Sequence, residues 1–164
     1  MARVYVSIGS NIDREANVAS CLVALRGAFG AIDCSPVYEC PAVGFSGDDF
    51  YNLVVGFDTE LAVREVATRL REIEFAHGRR RDLPKFSART LDLDLLLYDA
   101  LVQHGDGIDV PRDEITRYAF VLRPLADLAG ERRHPELGLS FAELWARFAV
   151  PDAGLRRVEP SAPT

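Results

Sequence analysis

The segment Arg89-Thr90-Leu91-Asp92-Leu93-Asp94-Leu95-Leu96-Leu97-Tyr98 constrains the fold more than any other stretch of the chain. Leu91, Leu93, Leu95 and Leu97 alternate at period 2, which predicts a β-strand with one apolar face. The opposite face carries Asp92 and Asp94, about 7 Å apart along a strand. Like charges held that close repel unless a cation neutralises them or one carboxyl stays protonated. Oxygen donors with nothing softer nearby favour Mg²⁺, which completes its shell from water and substrate phosphates. A solvated polar face of an ordinary amphipathic strand is the competing reading of a bare D-x-D, and short motifs of this kind often mean no more than that.

The residues upstream bear on that choice. His77-Gly78-Arg79-Arg80-Arg81-Asp82-Leu83-Pro84-Lys85-Phe86-Ser87-Ala88-Arg89 breaks both periodicities and reads as a basic loop feeding the acidic strand. The whole chain has a formal net charge of −6, so its cations are not gathered there by composition. Guanidinium groups beside a carboxylate-bound metal grip polyphosphates. Overall acidity, with no second basic stripe, argues against nucleic acid as the partner.

The 164 residues suit one domain, expected over 1–150, with a flexible tail from 151 to 164. No apolar run is long enough to span a bilayer, and Met1-Ala2-Arg3-Val4-Tyr5 does not read as a signal peptide. Cys21, Cys34 and Cys40 lack a C-x-x-C spacing and read as reduced thiols of a cytoplasmic protein. His77, His104 and His134 are scattered and read as surface residues. Neither a Gly-x-x-x-x-Gly-Lys-Ser/Thr loop nor a Gly-x-Gly-x-x-Gly fingerprint occurs.

Periodicity gives the order of elements. A strand over Arg3–Gly9 precedes a helix from about 14 to 29, closed near Gly30. Strands follow over Ile32–Glu39 and Phe50–Phe57, then a helix over Ala62–Ala76 and the Asp92/Asp94 strand. This β-α-β-β-α-β order is that of a ferredoxin-like α+β fold, with two helices on one face of an antiparallel sheet. Further helices are expected around Tyr118–Leu128 and, behind the Ser140-x-x-Glu143 capping box, through about Phe148. They would cover the other face and give an α/β/α sandwich.

Six segments, in this order, resemble the 6-hydroxymethyl-7,8-dihydropterin pyrophosphokinase family. They are Ile8-Gly9-Ser10-Asn11, Ser35-Pro36-Val37-Tyr38, Phe50-Tyr51-Asn52, Ile73-Glu74 before Gly78-Arg79, Arg89 to Asp94, and Phe120-Val121-Leu122-Arg123-Pro124-Leu125. The resemblance implies transfer of diphosphate from ATP to the hydroxymethyl group of a dihydropterin, with release of AMP, in folate biosynthesis. It implies that Asp92 and Asp94 bind two Mg²⁺ ions and that Arg79 and Arg89 are the catalytic arginines on the phosphate chain. Phe50 and Phe120 would sandwich the pterin, Asn52 would read its polar edge, and Cys40 and Val43 would line the pocket. Glu74, Arg81, Leu95 and Arg112 fall on the nucleotide side. The loops at 44–49 and 79–89 resemble lids that exclude water. The partners expected are ATP and a dihydropterin, with no nucleic acid or membrane, and the protein is expected to be a monomer. On the residues alone, Phe50 and Phe120 also read as core, Asn52 as a turn residue and Glu74 as a helix-surface charge.

Three positions depart from the family pattern: Ser87-Ala88 stands where Gly-Pro is usual, Arg112 where a histidine follows Val-Pro, and Tyr118 where an arginine precedes the phenylalanine. They leave open a paralogue acting on another pterin or alcohol, or a non-catalytic binding module.

Overall fold

In the computed structural model, which describes residues 1–41, 49–78, 91–148 and 154–158, the alternating segments become the strands of one sheet. They are β1 (Ala2–Ser10), β2 (Asp33–Cys34), β3 (Val37–Cys40), β4 (Phe50–Thr59), β5 (Asp92–Tyr98) and, far downstream, β8 (Arg156–Val158). Helix α1 (Arg14–Phe29) and helix α2 (Val63–Ala76) occupy the connections expected of them. Strand order is β5-β1-β4-β3-β8, with β2 also pairing β4. Pairing is antiparallel throughout, and the core order fourth-first-third-second is that of the ferredoxin-like fold.

Each face of the sheet is buried by a different layer. Val4, Val6 and Ile8 of β1 and Leu53, Val55 and Phe57 of β4 pack with Val18, Cys21 and Leu25 of α1 and Val66, Leu70 and Ile73 of α2. Phe57 is fully buried and stacks on Phe29 with ring centroids 4.2 Å apart. On the other face, Tyr5, Val54, Leu96 and Leu97 pack against a short helix α3 (Glu114–Arg117), α4 (Ala119–Ala129) and α5 (Phe141–Ala146). Gly56 stands opposite Tyr5 on that face, and a Cβ there would lie 2.8 Å from Tyr5 Cε1. The glycine is what lets the ring lie across β4. Ser140 caps α5 as its sequence predicts, accepting from Glu143 N at 3.1 Å.

Several expectations are corrected. The single strand over 32–39 is divided between β2 and β3, because Pro36 has no N–H for a ladder. The four leucines do not share a face: Leu91, Leu93 and Leu95 enter the α1/α2 core, whereas Leu97 joins the α4/α5 core with Leu96. A register shift opposite Tyr5/Val6 accounts for this, since a β-bulge inserts one residue and reverses the alternation beyond it. The tail expected from 151 contains β8, whose Val37–Val158 and Glu39–Arg156 partners extend the sheet; a pairing across such a separation leaves no local sequence signal. The hairpin of β6 (Gln103–Gly105) and β7 (Ile108–Val110) was also not anticipated. His134 is buried, not superficial, and its Nδ1 accepts from the backbone N–H groups of Glu136 and Leu137, each at 3.2 Å.

Candidate active site

The strand register assembles the site. Gly9 on β1 faces Asp92 on one side and Asn52 on the other, and Ser7 faces Asp94. Asn52 in turn faces Tyr38, and Phe50 faces Cys40. Residues paired across a ladder share a face, and so do residues two apart on a strand. Cys40, Phe50, Asn52, Asp92 and Asp94 therefore lie on one face of the sheet, the one that Val54 and Leu96 turn towards α4. Helix α4 brings Phe120, half-buried, to the same face in its first turn.

Asn52 is held firmly. Its Nδ2 donates to Cys40 Sγ at 2.9 Å, and a Cβ on Gly9 would lie 3.1 Å from its Oδ1 and 3.8 Å from the Phe50 ring. Gly9 is thus a glycine of close approach, making room for the amide and the ring. Burial pushes the Cys40 thiol up to about 12, against the opposing pull of the Asn52 hydrogen bond, so the group stays a neutral thiol that orients the amide. Asn52 is buried in a strand, which sets aside its reading as a turn residue.

Asp94 lies within 3.3 Å of the Arg112 guanidinium, with its side chain 21% exposed. Burial, and then the neighbouring Asp92, raise its pKa above the ordinary 3.8, while Arg112 opposes the shift. Burial works against the charge on Arg112, but Asp94 and Glu114 outweigh it and keep the guanidinium protonated. Glu74 is buried, not a surface charge; its Oε2 accepts from Leu93 N at 2.8 Å. Leu93 lies between the two aspartates on β5, the end strand among the described residues, so Glu74 braces the strand from the side away from β1. The Leu95 side chain faces the α1/α2 core and is not among the polar groups. Val43, Arg79, Arg81 and Arg89, and with them nearly all of both expected lids, lie outside the described residues.

Sequence reasoning missed the contacts that set α4 in place. The Tyr38 hydroxyl donates to the Asp127 carboxylate and accepts from Arg123 Nε at 3.1 Å, and the Arg123 guanidinium lies over the Trp145 ring, 5.2 Å from its centroid. This clasp ties α4 to β3 and α5. Tyr38 and Arg123 both stand in segments that carry the family resemblance, but only their meeting in space gives them a structural role. Tyr118 stacks on Phe120 at 5.0 Å and so buttresses that ring.

The profile of the 7,8-dihydro-6-hydroxymethylpterin-pyrophosphokinase family matches residues 5–130. A Pseudomonas aeruginosa protein named 2-amino-4-hydroxy-6-hydroxymethyldihydropteridine pyrophosphokinase is 37% identical over 95% of this chain and 96% of its own length. A protein of the same name from Methylorubrum extorquens is 32% identical over 97% of this chain and 100% of its own. A crystal structure of wild-type Plasmodium falciparum HPPK-DHPS with SDX-DHP superposes with a TM-score of 0.71 at 12% identity, over 96% of this chain and 47% of that longer one. That structural likeness speaks for the fold; the extent of the sequence matches goes further. The chain is a member of the 7,8-dihydro-6-hydroxymethylpterin-pyrophosphokinase family.

Proposed function

We propose that this protein transfers diphosphate from ATP to the hydroxymethyl group of 6-hydroxymethyl-7,8-dihydropterin and releases AMP, within folate biosynthesis. One observation carries the reading beyond family membership: Asp92, Gly9 and Asn52 form a single row across three strands. Two inter-strand spacings separate the carboxylate from the amide by about 10 Å of sheet. A bicyclic ring read by Asn52 can extend its hydroxymethyl arm along that row towards the phosphates at Asp92 and Asp94.

The donor set suits Mg²⁺. Among the described residues no cluster of three or more His, Cys, Asp and Glu could hold a metal ion, so no cage closes around the carboxylate pair. Mg²⁺ needs only one or two carboxylates when substrate phosphates and water supply the rest. Asp92 and Asp94 would hold it, two ions being expected from the resemblance, and the metal would neutralise charge on the phosphate oxygens. The chain's own groups bind and orient. Phe50 and Phe120 offer half-buried aromatic faces for stacking. Asn52, fixed by Cys40, offers its amide to the ring edge. Arg79 and Arg89 are assigned to the phosphate chain, with Arg81 and Arg112 on the nucleotide side. In the transfer the substrate hydroxyl oxygen bonds to the β-phosphorus, the bond from that phosphorus to the α–β bridging oxygen breaks so that this oxygen leaves on AMP, and the hydroxyl proton passes to solvent water. Positioning and electrostatics suffice for such chemistry.

The net charge of −6 and the three free thiols support a cytoplasmic protein with small-molecule partners. No described helix is long and apolar enough to cross a membrane. The reading requires neither nucleic acid nor a second copy of the chain.

A product assay with ATP, Mg²⁺ and the dihydropterin, resolving AMP from ADP, tests the proposal. AMP should appear in step with pterin diphosphate and fall at least about a hundredfold in Asp94→Ala. ADP as the nucleotide product, or an undiminished rate in the variant, would sink it.

A further inference from the structure

The structure assigns Arg112 a second role, that of a tethered counter-cation that occupies Asp94 in the free protein and limits how tightly a divalent cation binds before nucleotide arrives. This rests on the reading of Asp92 and Asp94 as the metal carboxylates. Arg112 Nη2 lies 3.3 Å from Asp94 Oδ1 and 3.4 Å from Glu114 Oε1, so one nitrogen is shared between two carboxylates. Its Nε is buried without a hydrogen-bond partner among the described residues. The pairing is therefore long and single-pronged, unlike the two parallel bonds with which a guanidinium locks a carboxylate. The backbone beneath is fixed, because Arg112 N donates to Leu96 O at 3.1 Å on the strand that carries both aspartates. Only the side chain has to move.

The side chains of Arg112, Asp94 and Glu114 are 29%, 21% and 11% exposed, so salt screens their interaction weakly. An oxygen-bound Mg²⁺ would sit about 2 Å from its carboxylate ligand, close to the place the guanidinium holds. A metal on Asp94 and a guanidinium 3.3 Å from its Oδ1 repel one another, so the guanidinium weakens the carboxylate's hold on the metal. Glu114 provides the alternative partner to which Arg112 can retreat while a metal takes Asp94.

The test is a Mn²⁺ titration of the full chain without nucleotide, following free Mn²⁺ by electron paramagnetic resonance. Arg112→Gln should bind Mn²⁺ about tenfold more tightly than wild type, as expected when a competing charge is removed from a partly buried site. In an Asp94→Asn background the same substitution should produce no gain. Unchanged or weaker binding in Arg112→Gln would overturn the inference, and so would a gain that survives in Asp94→Asn, which would mark a general field effect. Should Arg112→Gln fail to fold, Glu114→Gln reads the same balance with opposite sign, because the guanidinium is left to Asp94 alone and Mn²⁺ binding weakens; unchanged or tighter binding there counts against the idea. If wild type takes up no Mn²⁺ even with a non-hydrolysable ATP analogue, the metal assignment itself fails. Nucleotide-dependent uptake with no Arg112 effect would overturn only the counter-cation role.

Discussion

The two faces of the sheet are built from the same strands and serve opposite ends. Towards α1 and α2 the inward residues from Val4 to Ile8 of β1 and from Leu53 to Phe57 of β4 are apolar, and Phe57 closes that layer against Phe29. Towards α4 the face is apolar only in part: Tyr5, Val54 and Leu96 pack, while Asn52, Asp92 and Asp94 bring an amide and two carboxylates. One face is free to maximise burial. The other keeps a like-charge pair in which burial and the neighbouring Asp92 push the Asp94 carboxyl up, a cost that a chain selected for stability alone would have no reason to bear.

The sharpest way to break this contrast is Phe57→Ala. Emptying the dry face should lower stability by about 3–5 kcal/mol in urea unfolding while leaving pterin affinity of the folded fraction unchanged. A selective loss of pterin binding would show that the faces are not separable. Gly9→Ala probes the other face. The added methyl would press on Asn52 Oδ1, so pterin binding measured by calorimetry should weaken about tenfold with nucleotide affinity preserved. Equal weakening of both would mean that the strand had moved instead of the amide. The smallest effect is expected of Asp94→Asn on the metal-free protein, within about 1 kcal/mol. A carboxyl whose folded pKa is raised binds its proton more tightly when folded, so its contribution is full below 3.8 and is lost as pH rises through the raised value. Wild-type stability should therefore carry a component that falls with rising pH above 3.8. The asparagine variant should lack it and be at least as stable at neutral pH; a steeper profile in the variant would contradict the account.

How much of this was legible beforehand differs from element to element. Helix α1 was readable to its ends because Val18, Leu25 and Phe29 repeat at helical spacing and Gly30 closes the run. The acidic pair was readable because Asp92 and Asp94 interrupt a leucine alternation. The turn of Leu97 to the opposite core was not readable, since a bulge is a property of two strands in register and β5 carries no mark of it. Glu74 reads on a helical wheel like any other helix carboxylate; it accepts from a backbone N–H nineteen residues on, on the end strand of the sheet among the described residues. The Tyr38, Arg123 and Asp127 clasp joins residues separated by 85 and 89 positions, and no local pattern announces it.

The sequence by itself determined the β-α-β-β-α-β order of the core, its helix-covered face and the chemical character of the site, because periodicity and donor type are written in neighbouring residues. Tertiary structure alone decided that Gly9 sets Asp92 and Asn52 in one row, that Tyr118 supports Phe120, and that Arg112 reaches Asp94. These are contacts between distant segments. Their geometry is fixed by strand register and by the seating of α4, and a change of one residue in either would leave the same composition with a different site.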